Sequence, residues 1–501
     1  MSSDLTTVAA AAGEVRFPVS VMKDRGVSFF ILLSIGFACA QVTYYMQMDG
    51  LFFLVSLLLV TMTFVYGLLF LSLAEAFILL LLITSTRYIT GVAGKELQVL
   101  VPIAFMLLLL ILKGKQLPTK RIPVMFFIYA LFLLAVVVRG FEFLDSTQAT
   151  TFTRRWNYVT VLTCFVAGYY MTNNLRITHF ARVLFWLYFV AMLFGFFMLI
   201  FEISEMPLFN TFSWTKAPFD EHFGILSLAG AYCLLILVCV RDTVRSSVGR
   251  YCAIVVSVAA MFFSGGRASL LGVGVGLLGY LFFIKKRRRL VAAIVLSFVT
   301  LAQMGSIDWV SDRLPAGVAR VFEVVNVEMM LAAVEELGED ADLTAAQHLA
   351  GSSADWSSMS RLLMWHGGIK GIKEKPLVGQ GLKNPFAGID KSTLTFEEKI
   401  DIEALVGTGY LHNSYLSLAY VAGIPAAFVF LAFVLNLIRK SYWLSQRSHE
   451  PTYSLLLILS LHWFTISFVS DAYMSSGFLL FAGLVCSHYE KMNGDKQPDG
   501  A

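Results

Sequence analysis

The chain has 501 residues, of which 57% are hydrophobic and only 14% charged, with a formal net charge of +4 and a mean hydropathy of +0.73. A water-soluble globule is excluded by that composition, and no nucleic-acid partner is expected. Repeated apolar runs approach the roughly 20 residues needed to cross a hydrocarbon core of about 30 Å, which predicts an all-α polytopic membrane helical bundle.

In chain order, residues 1–26 are polar and lack an early apolar stretch with a cleavage site, so they read as a retained cytoplasmic tail. Residues 27–304 carry the expected spans Val27–Met46, Leu51–Leu71, Ser72–Thr84, Leu97–Leu112, Ile122–Val138, Trp156–Met171, Phe180–Phe201, Phe223–Val240, Tyr251–Phe263, Ala268–Ile284 and Leu290–Met304. Residues 305–412 form a large polar excursion, read as an extracytoplasmic loop containing helices, one of them amphipathic over Pro315–Leu337. Residues 413–488 hold the last spans, Ser414–Ile438, Tyr453–Ser470 and Tyr473–Ser487, and 489–501 form a second cytoplasmic tail. The total is roughly 12–14 crossings by the length criterion.

Alternating these spans puts the most basic loops on one side: Lys113 to Arg121, Arg241 to Arg250, Lys285 to Arg289, and Arg439 to Arg447. The positive-inside rule makes that side cytoplasmic, although Arg139, Arg154 and Arg155 fall opposite. The same alternation gathers Lys216, His222, Arg267, the loop with Arg361 and Trp365, and His412 on the extracytoplasmic face. An arginine wedged between two apolar spans, as Arg267 is, costs about 2.5 to 3.5 kcal/mol on insertion scales. An anionic ligand would justify it, because guanidinium presents a planar fork of donors to phosphate oxygens. The alternative is that Arg267 snorkels or pairs with Asp471 or Glu142.

Other patterns carry less. Gly274, Gly276 and Gly279 satisfy a dinucleotide spacing but sit inside an apolar run, where close helix packing explains them. Asp340 and Asp342 lie in a generally acidic loop and read as solvated surface. The six cysteines all fall in apolar runs and read as buried thiols rather than metal ligands. No metal and no cofactor are expected.

Ser264-Gly265-Gly266-Arg267-Ala268-Ser269, Ser360-Arg361 with Trp365, Pro376-Leu377-Val378-Gly379-Gln380-Gly381, His412-Asn413-Ser414-Tyr415-Leu416 and Gly423-Ile424 together resemble the O-antigen ligase and polymerase superfamily. The resemblance covers about Tyr251 to Leu435. It implies a glycosyltransferase of the bacterial inner membrane that works at the periplasmic face. The donor would be an undecaprenyl-diphosphate-linked glycan, and the acceptor a growing glycan or the lipid A core. Arg267 and Arg361 match the family's functional arginines and would bind the diphosphate; His412 matches its loop-end histidine and would act as general base or orient the acceptor. Trp365, Asn413, Tyr415 and His222 are possible supporting residues. The chain departs from the family at Lys216, where an arginine is usual, and an ammonium cannot supply the same bidentate contact. Ligase and polymerase are not separated by these residues. The alternative from another class is a transporter or flippase of lipid-linked glycans, which would be expected to keep ionisable groups near the midplane.

Overall fold

The computed structural model describes residues 72–73, 76–77, 80, 103–114, 117–118, 120–139, 149–200, 224–263, 267–284, 289, 292, 296, 356–382, 411–448, 450 and 452–494. All of them belong to the compact unit Gly67–Ala501; the other unit, Met1–Tyr66, lies outside the described residues. The described residues are helical, with no strand among them.

The helices are α1 (Ile103–Lys113), α2 (Val124–Arg139), α3 (Ala149–Met171), α4 (Ile177–Ile200), α5 (Gly224–Cys239), α6 (Ser247–Phe263), α7 (Arg267–Phe283), α8 (Trp356–Glu374), α9 (Ser414–Ala422), α10 (Ile424–Arg447), α11 (Tyr453–Ile466) and α12 (Ser476–Gly494). Among the described residues, α10 is the helix long and apolar enough to cross a membrane; several other apolar helices are shorter. Most of these helices, such as α2 and α5, follow from runs of apolar side chains uninterrupted by proline. In α2, Phe126, Tyr129, Leu133 and Val136 form a buried stripe at helical spacing. The outward positions are just as apolar, with Val124 71% and Val138 67% exposed. A helix apolar on all sides belongs inside a large core or in lipid.

Two packed groups meet through α10 and α11. In the first, α3 packs intimately on α12, and α2 packs on α3 and α10. Its centre is aromatic: Phe126 stacks on Phe165, and Tyr129 on Phe433 at 5.6 Å between centroids. In the second, α5 packs on α4, α6 and α7, while α7 lies along α11. The glycine spacing in α7 serves this contact. A Cβ on Gly276 would meet Ile458, and one on Gly279 would strike Leu461, whereas Gly274 faces open space.

Two expectations are corrected. Ser414–Ile438 is two antiparallel helices rather than one span, as the Tyr415 and Phe430 rings 5.6 Å apart require. Gly423 makes the reversal: its φ of 93° is left-handed, a Cβ there would sit 2.1 Å from the Leu377 carbonyl oxygen, and Pro425 follows at the start of α10. Helix α8 is one of the helices expected in the polar excursion, formed although the glycines at 367, 368 and 371 lower helix propensity. Its glycines instead permit close approach, Gly368 to Leu411 and Gly371 to Tyr420. Finally, Cys252 is exposed, whereas Cys164, Cys233, Cys239 and Cys486 are buried as expected. Pro315–Leu337, the acidic pair Asp340 and Asp342, and Cys39 lie outside the described residues.

Candidate functional site

The bundle has two chemically different ends. At one, the Lys120 ammonium donates to the Asn173 side chain at 2.7 Å, and the Tyr169 hydroxyl lies within hydrogen-bond reach of the Arg121 carbonyl, at 2.7 Å, and of the Glu490 carboxylate. Lys491 reaches the Asn173 carbonyl, and Gln446 donates to the Phe283 carbonyl. The cations of the Lys120–Arg121 loop and the last turns of α10 and α12 therefore share that end.

The opposite end collects most of the described motif residues. His412 stands in the turn before α9 with φ 49°, the one non-glycine residue with positive φ among the described residues. Its backbone N–H donates to Asp471 Oδ2 at 3.1 Å, and its Nδ1 lies 3.9 Å from the same oxygen. Asp471 Oδ1 accepts from the Ser417 hydroxyl, whose oxygen in turn accepts the Leu411 N–H at 3.3 Å. The imidazole is partly open to solvent, its side chain 39% exposed against 12% for Asp471. A carboxylate thus grips the backbone and lies beside one ring nitrogen.

Asn413 explains why α9 begins where it does. Its side-chain oxygen accepts from the Tyr415 and Leu416 N–H groups, and its amide donates to the Phe468 carbonyl at 2.9 Å. Ser414 ties the same turn to the segment after α11, its N–H donating to Ser467 and its hydroxyl to Ser470. Tyr415 packs its ring between Phe430 and Phe468. Asn413 and Tyr415 therefore build the turn that carries His412. Because α9 runs back beside α10, that turn lies near Phe430, about 9 Å along α10 from its start.

Trp365 joins α8 to this turn by donating its indole N–H to the Leu411 carbonyl at 2.6 Å. Arg361 lies one helical turn earlier on α8. The run 376–381 is a structural clasp. Gln380 and Gly381 donate their N–H groups to Tyr420 and Val421, Ile424 donates to Pro376, and Gln380 Nε2 reaches both the Gly371 carbonyl and Glu374. Arg139, at the end of α2, donates to the Val378 and Gly379 carbonyls.

Arg267 opens α7. Gly272 of α7 lies against His462 of α11 and Gly276 against Ile458, so the two helices run antiparallel. The backbone of Arg267 is then about 7.5 Å beyond Gly272, toward the Ile466 end of α11 and hence the His412 end of the bundle. Lys216 and His222 lie outside the described residues.

The sequence missed Asp471 as the partner of His412, offering it only as a counter-ion for Arg267. The one available signal was an isolated carboxylate between two apolar runs, 59 residues downstream of His412. Among the described residues no group of three His, Cys, Asp or Glu side chains is placed to hold a metal.

Residues 252–431 match the family model described as O-antigen ligase. No curated protein matches the chain. The matched segment contains α6 from its second turn, Arg267, α8, the 376–381 clasp, the His412 turn and the α9–α10 reversal. Over that segment the chain is similar to the O-antigen ligase family, in keeping with the resemblance to the O-antigen ligase and polymerase superfamily.

Proposed function

We propose that the protein is a multi-pass glycosyltransferase of the bacterial inner membrane that takes glycan from an undecaprenyl-diphosphate donor at the periplasmic face. It passes the glycan to a growing chain or to the lipid A core. The acceptor hydroxyl attacks the anomeric carbon, forming a new C–O bond. The bond from that carbon to the diphosphate oxygen breaks, and undecaprenyl diphosphate leaves with the electron pair. The acceptor proton passes to His412, which the Asp471 carboxylate holds in place. The guanidinium groups of Arg267 and Arg361, with the ammonium of Lys216, neutralise the charge growing on the leaving diphosphate. Preorganised charge of this kind is commonly the largest single contribution to transfer rates.

One observation carries the reading: the start of α7 with Arg267, the helix bearing Arg361, and the His412 turn all belong to the end of the bundle opposite the Lys120, Arg121 and Lys491 cluster. That separation is what the positive-inside rule demands of an enzyme whose basic loops face the cytoplasm. The apolar outward face of α2 supports repeated contact with lipid. Purified protein in nanodiscs, supplied with lipid-linked donor and acceptor and no energy source, is expected to join glycan to acceptor. Movement of donor between leaflets without bond formation would instead establish the transporter reading.

A further inference from the structure

The clasp at 376–378 does more than brace α9. Leu377 and Val378 are 71% and 58% exposed, and both sit at the head of α10, where the Ile424 N–H donates to the Pro376 carbonyl at 2.7 Å. The elements that the clasp touches expose further apolar side chains, Phe428 on α10, 66% exposed, and Val138 beside Arg139, 67% exposed. On the other flank the last turn of α8 exposes Lys370 and Lys373, followed by Lys375. The nearby acid, Glu374, accepts a hydrogen bond from Gln380. The patch is thus an apolar tip edged by Lys370, Lys373, Lys375 and Arg139, with the Glu374 carboxylate among them.

The height of this tip relative to lipid follows from α10. Its apolar run from Ile424 to Ile438 spans about 22 Å at 1.5 Å per residue, shorter than the roughly 30 Å hydrocarbon core. Arg439 bounds it at the far end, whereas Lys440 is buried against Cys486 and Tyr489. The head of α10 therefore lies at the lipid boundary and not clear of it, and Leu377 and Val378 share that boundary. Exposed apolar residues rimmed by lysines at a membrane surface have one natural complement, the acyl region with anionic headgroups above it.

We propose that residues 369–378 form an interfacial anchor, with Leu377 and Val378 inserted beside α10 and Lys370, Lys373 and Lys375 bound to phosphates of anionic lipids. The anchor sets the height of α8, and through the Trp365 to Leu411 hydrogen bond it couples that height to the His412 turn. This inference rests on α10 crossing the membrane.

Bimane placed at Val378→Cys, and separately at Phe428→Cys, in a background with the protein's own cysteines replaced, reads the contact directly. The nanodiscs contain shallow doxyl-labelled lipid in phosphatidylcholine, with or without phosphatidylglycerol. Both labels are expected to be quenched. Quenching at 378 is expected to rise with phosphatidylglycerol, and the rise is expected to vanish in Lys370→Gln/Lys373→Gln/Lys375→Gln. Quenching at 428 without quenching at 378 overturns the anchor and leaves the crossing intact. No quenching at either position overturns the crossing as well. Quenching at 378 that ignores lipid charge overturns the headgroup contact.

Discussion

Replacing Asp471 by alanine tests how the imidazole is held. The carboxylate accepts the His412 N–H at 3.1 Å and the Ser417 hydroxyl. Hydrogen bonds to a charged group contribute about 1.5 to 3 kcal/mol each, reduced here because the Asp471 side chain keeps 12% of its exposure. A combined contribution of about 3 kcal/mol is reasonable on that basis. Against it stands the left-handed backbone of His412, which costs an L-residue roughly 1 to 2 kcal/mol. With the carboxylate present the strained turn is favoured; without it the strain is unopposed at this point and the turn relaxes. Losing about 3 kcal/mol leaves the turn disfavoured by its strain of about 1 to 2 kcal/mol, which lowers the population of the competent imidazole by about 5- to 30-fold. Asp471→Ala is therefore expected to slow glycan transfer in nanodiscs by about that factor while the protein still unfolds cooperatively. Asp471→Asn keeps one acceptor and is expected to fall between. Cooperative unfolding with wild-type turnover in Asp471→Ala would refute the role of the carboxylate.

His412→Asn is a cleaner removal of the base than alanine, because asparagine tolerates positive φ; transfer is expected to fall about 10²- to 10⁴-fold with little change in the unfolding midpoint. Arg361→Lys is expected to retain more transfer than Arg361→Ala yet stay well below wild type, since an ammonium restores charge without the bidentate fork; equal activity of the lysine variant and wild type in a donor titration would remove that assignment. Trp365→Phe deletes the 2.6 Å bond to the Leu411 carbonyl and is expected to lower stability by about 1 kcal/mol in denaturant titration. Gly423→Ala places a Cβ 2.1 Å from the Leu377 oxygen at a φ of 93°, so a loss well above about 1 kcal/mol is expected, read as a fall in folded yield and unfolding midpoint.

The apolar helices were legible because hydropathy acts through composition alone. Val124–Arg139 and Gly224–Cys239 differ from the expected spans by only a few residues. What the sequence hid depends on contacts between distant residues. Helix α8 has a glycine-rich pattern that weakens the local signal, and only the close approach of Leu411 and Tyr420 explains those glycines. The reversal at Gly423 was hidden for the opposite reason: apolar residues continue on both sides, so hydropathy reads straight through a turn set by one backbone angle.

The same contrast governs the site. His412 was visible as an imidazole beside a polar-to-apolar boundary, but its neighbour Asp471 is 59 residues away in sequence and follows a different helix. Nothing local to either residue specifies the pair. It exists because α9 turns back along α10 and brings Ser414 against Ser467 and Ser470, at the end of α11. A straight helix from Ser414 to Ile438 would carry the His412 turn about 22 Å from Phe430 instead of beside it, since 15 residues separate Tyr415 from Phe430. The glycine at 423 thus acts on the chemistry from a distance: it supplies no group to the reaction, yet it allows the histidine to meet its carboxylate.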